Sequence, residues 1–196
     1  EMLDKAIEKG RGVILVGMHY GPGLSTYMLH EINLDVRLLV SYGFSKYLEE
    51  SSKLGIRFLI SRKVMFFRDV QKTLVVGRPE KELIHHLKRG GVVAMHNDFP
   101  THLRHGGIVN EFFGLPMRFN YFPFKLALKY EAPVFIYFFD KSENGGYNLC
   151  FVPCESFLTP EEGVKKYAAF SQKQITSYPF MWVSLPQFTN WFSNYI

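Results

Sequence analysis

Apolar residues in this chain fall in short unbroken blocks separated by amphipathic stretches, a pattern that predicts buried strands alternating with helices. Leu3–Lys9 reads as a helix stopped at Gly10, and Val13–Val16 is a wholly apolar block of strand length. Leu24–Ile32 then has helical spacing, so the two blocks make a strand–turn–helix unit. Val36–Val40 predicts a second strand, Lys46–Leu54 a helix closed by Gly55, and Arg57–Ile60 a third strand. Arg78–Lys88 predicts a helix that ends at Arg89-Gly-Gly91, followed by a buried strand at Val92–Met95. Val64–Gly77 fits neither pattern.

Past Pro100 the chain runs through a Gly- and His-rich loop to Gly107, an extended Ile108–Phe113 and a break at Gly114-Leu-Pro116. Pro123–Tyr130 predicts a helix with proline in its first turn, where the missing N–H costs nothing. Val134–Phe139 is a strand joined by the turn Glu143-Asn-Gly-Gly146 to an antiparallel partner at Tyr147–Val152. Gly163–Ser177 is the final helix, before an aromatic tail. Apolar strands separated by helices predict an α/β fold with a mainly parallel central sheet flanked by helices. Neither a repeat nor a linker interrupts residues 1–196, so a single domain is expected.

Composition narrows the function. With 47% hydrophobic residues the chain can bury a sizeable core, and nothing in it has the polar bias of disorder. Its 19 Phe and 11 Tyr are more rings than a core needs, which points to an apolar pocket or a membrane surface. A formal charge of +5 suits anionic headgroups, phosphates or an acidic carrier protein. The basic residues are scattered and bring no recognition motif, so no nucleic-acid partner is expected. Cys150 and Cys154 are the only cysteines, too few for a disulfide framework or a zinc site, and both read as structural. Every apolar run is shorter than the roughly 18 residues that span a bilayer. Because the chain opens at Glu1 and not at an initiating methionine, a membrane anchor preceding it is an open expectation.

The candidate chemistry lies where strands end. In α/β folds reactive groups collect at the carboxyl ends of strands. Here those ends carry Met18-His-Tyr-Gly-Pro-Gly23 and Met95-His-Asn-Asp-Phe-Pro100. If both strands are parallel in one sheet, His19 and Asp98 emerge on the same edge. A carboxylate beside the imidazole would fix its tautomer and stabilise the imidazolium formed when it takes a proton. The plainer readings are a polar residue where a strand surfaces for His19 and a loop cap for Asp98. His96, Asp98, His102 and His105 also fall within ten residues, so a metal-dependent hydrolase is a further reading. The pair His85-His86 reads as solvated.

Gly10-Arg-Gly-Val-Ile-Leu-Val-Gly-Met-His-Tyr-Gly21 resembles the first motif of the lipid A biosynthesis acyltransferase family, a branch of the glycerolipid acyltransferases. Leu87-Lys-Arg-Gly-Gly-Val-Val93 leading to Asp98, Val109-Asn-Glu-Phe-Phe-Gly-Leu-Pro116, Ala127 with Ala132-Pro-Val134, and Tyr178-Pro-Phe-Met-Trp182 follow in family order. The resemblance implies a single glycerolipid-acyltransferase-like domain. It implies transfer of a fatty acyl group from an acyl carrier protein or coenzyme A thioester to a hydroxyl or amine of a membrane lipid or glycolipid. The histidine would act as general base, with no covalent acyl-enzyme and no cofactor beyond the donor. The place implied is the cytoplasmic face of the inner membrane.

One departure stands out. The family motif places Asp or Glu after four intervening residues, five positions beyond the histidine, and this chain has Leu24 there. Two carboxylates offer replacement: Glu111, directly before Phe112-Phe-Gly114, is the preferred partner for His19, and Asp98 the second. If neither serves, the chain would be a catalytically degenerate lipid- or acyl-binding partner protein. Tyr20, Gly21, Arg104 and Arg118 are the expected substrate-binding residues, the arginines because a guanidinium grips phosphate or carboxylate in a fork. Phe112, Phe113, Phe119, Tyr121, Phe122 and Phe124 are candidates for an acyl-chain wall. Trp182, Phe188, Trp191, Phe192 and Tyr195 suggest membrane-interface contact.

Overall fold

The continuous apolar blocks become the centre of a parallel sheet. A computed structural model of the chain describes residues 1–20, 29, 34–40, 73–75, 80–98, 107–154 and 156–182. Its strands are β1 (Val13–Gly17), β2 (Val36–Val40), β3 (Thr73–Val75), β4 (Val92–His96), β5 (Ile108–Phe112), β6 (Leu115–Phe119), β7 (Val134–Lys141) and β8 (Tyr147–Pro153). The helices are α1 (Met2–Glu8), α2 (Glu80–Lys88), α3 (Phe122–Tyr130) and α4 (Pro160–Ser177), with a short 3-10 turn at Pro179–Met181. Strands β3-β2-β4-β1-β7 are parallel in that order, and β8 adds to β7 antiparallel. This is the α/β architecture with a mainly parallel sheet that the hydrophobic pattern predicts.

All five residues of β1 are buried, as a parallel strand covered on both faces requires. Ile14 and Val16 pack against Leu83 and Leu87 of α2, Phe124 and Ala127 of α3, and Val164, Tyr167 and Ala168 of α4. Val13 and Leu15 face the other way, onto Leu3 and Ala6 of α1 and onto Leu29. Each fully buried aliphatic side chain of this kind contributes roughly 1.5–3 kcal/mol. Gly17 closes β1 for a steric reason: a Cβ there would overlap the ring of Tyr137 from the neighbouring strand.

Several boundaries differ from expectation. Helix α4 begins three residues earlier than Gly163, because Thr159 caps it by accepting from the Glu162 N–H and Pro160 fills the first turn. Gly114-Leu-Pro116 does not end the extended segment but turns it. Phe113 (φ 54°) and Gly114 (φ 76°) form a two-residue reversal that pairs β5 with β6. A strand lies at β3 inside Val64–Gly77, while the helix at Lys46–Leu54 and the strand at Arg57–Ile60 lie outside the described residues. His86 is buried and not solvated. Its Nε2 reaches the carbonyls of Asp35 (2.9 Å) and Val92 (3.2 Å), and Gly91 leaves room for its ring. His85 is exposed as expected.

Candidate active site

Parallel pairing of β1 with β4 sets Gly17 opposite His96, so each chain leaves the sheet at the same level. Two residues further on, β1 delivers His19 and β4 delivers Asp98. Their contact is bidentate. His19 Nδ1 lies 2.7 Å from Asp98 Oδ1, and the His19 backbone N–H donates to Oδ2 at 2.9 Å. The indole Nε1–H of Trp182 donates to the same Oδ2 at 2.9 Å. Asp98 is 1% exposed while the His19 side chain is 27% exposed, so the carboxylate is hidden behind an imidazole that still meets solvent.

The electrostatics follow from this geometry. Burial alone would push the Asp98 carboxyl up, but the charge and hydrogen bond of His19, the neighbouring His96 and the Trp182 donor together hold it below the usual carboxylate range. An ionised carboxylate is an acceptor only, so His19 Nδ1 must donate. The lone pair of the neutral ring then sits on Nε2. Asp98 therefore fixes the tautomer and the orientation of the His19 ring.

Further groups fix the frame. The His96 ring stacks on His19 with centroids 4.1 Å apart, and its Nε2 is 3.2 Å from the Tyr137 hydroxyl. Burial, and then the nearby charge of His19, lower His96 to about 3, so it remains a neutral ring beside the base near pH 7. Burial drives Tyr137 far above the phenol range, which leaves its hydroxyl protonated and free to donate. The Gly17 carbonyl takes two donors, the Asn97 N–H at 2.9 Å and the Tyr167 hydroxyl of α4 at 2.8 Å. Asn97 in turn donates through its side-chain amide to the Asn120 carbonyl at 3.1 Å.

The preferred partner Glu111 is corrected by this arrangement. It lies on β5 in the separate two-stranded hairpin, exposed on the outward face opposite Pro116, while the buried carboxylate against His19 is Asp98. Strand register explains the outcome: β4 is hydrogen-bonded to β1 and its end is level with it, whereas β5 is not part of that sheet. Tyr20 is also corrected. It is 2% exposed and its hydroxyl shares one proton between the carbonyls of Gln174 (2.8 Å) and Tyr178 (3.1 Å), so its side chain is buried against the end of α4. Burial raises its phenol to about 12. Arg118 is partly buried on β6 and donates through Nη1 to the Gly107 carbonyl at 3.1 Å. Gly21, Leu24 and Arg104 lie outside the described residues, as do His102 and His105. Among the described residues no three His, Cys, Asp or Glu side chains converge as a metal site would need.

Trp182 differs from expectation. It is 2% exposed, not at an interface, and forms an antiparallel bridge with Tyr20 while its ring meets Phe112 and Phe113. A tryptophan buried with its N–H requires a nearby acceptor, and that requirement was the available signal. Of the aromatic run, Phe112, Phe119 and Phe124 are fully buried core. Tyr121 and Phe122 line a groove of about 350 Å³ with Leu83 and Leu126, beside Lys125 and Lys129. Burial raises the Cys150 thiol, which disfavours its thiolate, in keeping with a structural role.

A buried carboxylate bonded to a partly exposed imidazole at the carboxyl edge of a parallel sheet defines an α/β protein with a His–Asp pair at its strand ends. A family model for bacterial lipid A biosynthesis acyltransferases matches residues 1–188, and the chain belongs to that family. Membership brings acyl transfer to a lipid as the family chemistry. No curated protein matches the chain.

Proposed function

We propose that the protein transfers a fatty acyl group from a thioester donor, acyl carrier protein or coenzyme A, to a hydroxyl or amine of a membrane lipid or glycolipid. The observation that carries this reading is the His19–Asp98 pair. In the proposed step His19 Nε2 takes the proton of the acceptor hydroxyl or amine as its oxygen or nitrogen attacks the thioester carbonyl. The resulting tetrahedral species breaks its C–S bond, and the imidazolium returns the proton to the departing thiolate. Asp98 stays ionised throughout and stabilises the transient imidazolium. No enzyme nucleophile takes part.

The direct test is incubation of the full chain with labelled long-chain acyl thioesters of both donor types and membrane-lipid acceptors. A labelled acyl-lipid product is expected. Inertness with every donor and acceptor would support the degenerate binding-protein reading instead.

Trp182 should act through Asp98. Trp182→Phe keeps most of the packing and removes only the N–H bonded to Oδ2, a charge-assisted hydrogen bond. The expected result is a fall in kcat of about 10- to 100-fold with KM little changed, since a charged hydrogen bond is worth roughly 1.5–3 kcal/mol. A rise in KM with kcat intact would place Trp182 in substrate binding instead.

A further inference from the structure

We infer that the protein enters a lipid leaflet through the lip of its site, formed by the β5–β6 turn at Phe113–Pro116 and the short turn at Tyr178–Phe180. Phe180 is 96% exposed, Tyr178 45% and Leu115 40%, so two separate turns offer apolar side chains to solvent. They converge on one place. Phe112 and Phe113 hold Trp182 at ring distances of 5.9 and 6.4 Å, and the Phe113 N–H donates to Gln172 Oε1 near the end of α4. From the other side Tyr20, next to His19, reaches the Tyr178 carbonyl. The two turns that carry the exposed side chains therefore meet at Trp182, the residue whose indole N–H donates to Asp98.

The hairpin turn is built to keep this shape. Phe113 has φ 54°, a left-handed conformation that is strained for a bulky residue, and contacts with Phe112 (4.8 Å between centroids) and Trp182 hold it there. Strain kept in a turn beside a reactive pair fits a surface with a task.

The choice of a lipid leaflet as occupant rests on the reading of the site as lipid-acylating. A long-chain lipid leaves its bilayer only at great cost, because every methylene would meet water. The base must therefore come to the leaflet, and exposed rings at its rim would be the part that enters. Burial of exposed apolar rings needs no lipid charge, so insertion should proceed on neutral lipid at high salt.

The test is flotation of the full chain with neutral phosphatidylcholine vesicles at high salt, comparing wild type with Phe180→Ser, Leu115→Ser and their combination. Leu158→Ser is the control. Leu158 is also 84% exposed but sits before the first turn of α4, about 27 Å along the helix from the lip. Wild type should float, and Phe180→Ser should lower partitioning about tenfold or more, since a buried aromatic ring is lost. Leu158→Ser should float like wild type, and each variant should keep its unfolding midpoint. Turnover on a dispersed short-chain acceptor should survive Phe180→Ser, which separates failure of this proposal from failure of the catalytic one. Wild type that does not float, equal loss in Leu158→Ser, or full flotation of the double variant would overturn the proposal. So would self-association in gel filtration that Phe180→Ser abolishes, which would assign the lip to a second copy.

Discussion

His19→Ala is expected to slow acyl transfer by a factor of about 10²–10⁴, the range that a positioned general base contributes. The loss should fall on kcat, because the imidazole acts on the reacting proton and the remaining contacts to donor and acceptor are untouched. Asp98 would keep two of its three donors, the His19 backbone N–H and Trp182 Nε1. The fold should therefore survive, and circular dichroism with thermal unfolding checks this. His19→Gln is the companion variant: it restores a polar group toward Asp98 yet takes no proton, so it should stay as inactive as alanine. Single-turnover assays with a labelled thioester measure both.

Asp98→Asn is expected to cost as much as His19→Ala and no more, up to the roughly 10⁴ in kcat lost when a triad carboxylate is made an amide. The structure gives the reason. Oδ2 faces two donors and Oδ1 faces a third, so an asparagine with one carbonyl oxygen cannot accept from both sides. If its NH₂ faces the ring, His19 Nδ1 must become the acceptor and the proton moves to Nε2, where the lone pair is needed. The same substitution should change acid stability. Because the folded carboxyl is held below its ordinary range, the ionised form stabilises the fold fully above about pH 4 and that contribution is lost as pH falls through the lower folded value. Urea unfolding across this interval should show the acid loss in wild type and a flatter profile in Asp98→Asn.

Much of this site could be read from the chain because strand ends are legible. The apolar runs before His19 and before His96 identify buried parallel strands, and two such strands side by side put the residues just beyond them on one edge. What periodicity does not encode is adjacency. Whether Asp98 or Glu111 reaches His19 depends on which strand pairs with β1, a long-range fact decided by the packing of α2, α3 and α4. Trp182 was hidden for the same reason: it meets Asp98 only because α4 returns the chain across the strand ends through Tyr167 and Tyr20. The β5–β6 hairpin escaped because its turn uses Phe113 at a left-handed position that glycine or asparagine ordinarily takes. His86 looked solvated beside Lys88 and Arg89, yet Gly91 opens the space that buries it.

Whether His19 and Asp98 work as one unit is tested most directly by a double-mutant cycle on kcat. If Asp98 acts only by orienting and charging the imidazole, the combined His19→Ala, Asp98→Asn protein should transfer acyl groups no more slowly than His19→Ala alone. Rate losses that multiply in the double variant would show two independent roles and contradict the account.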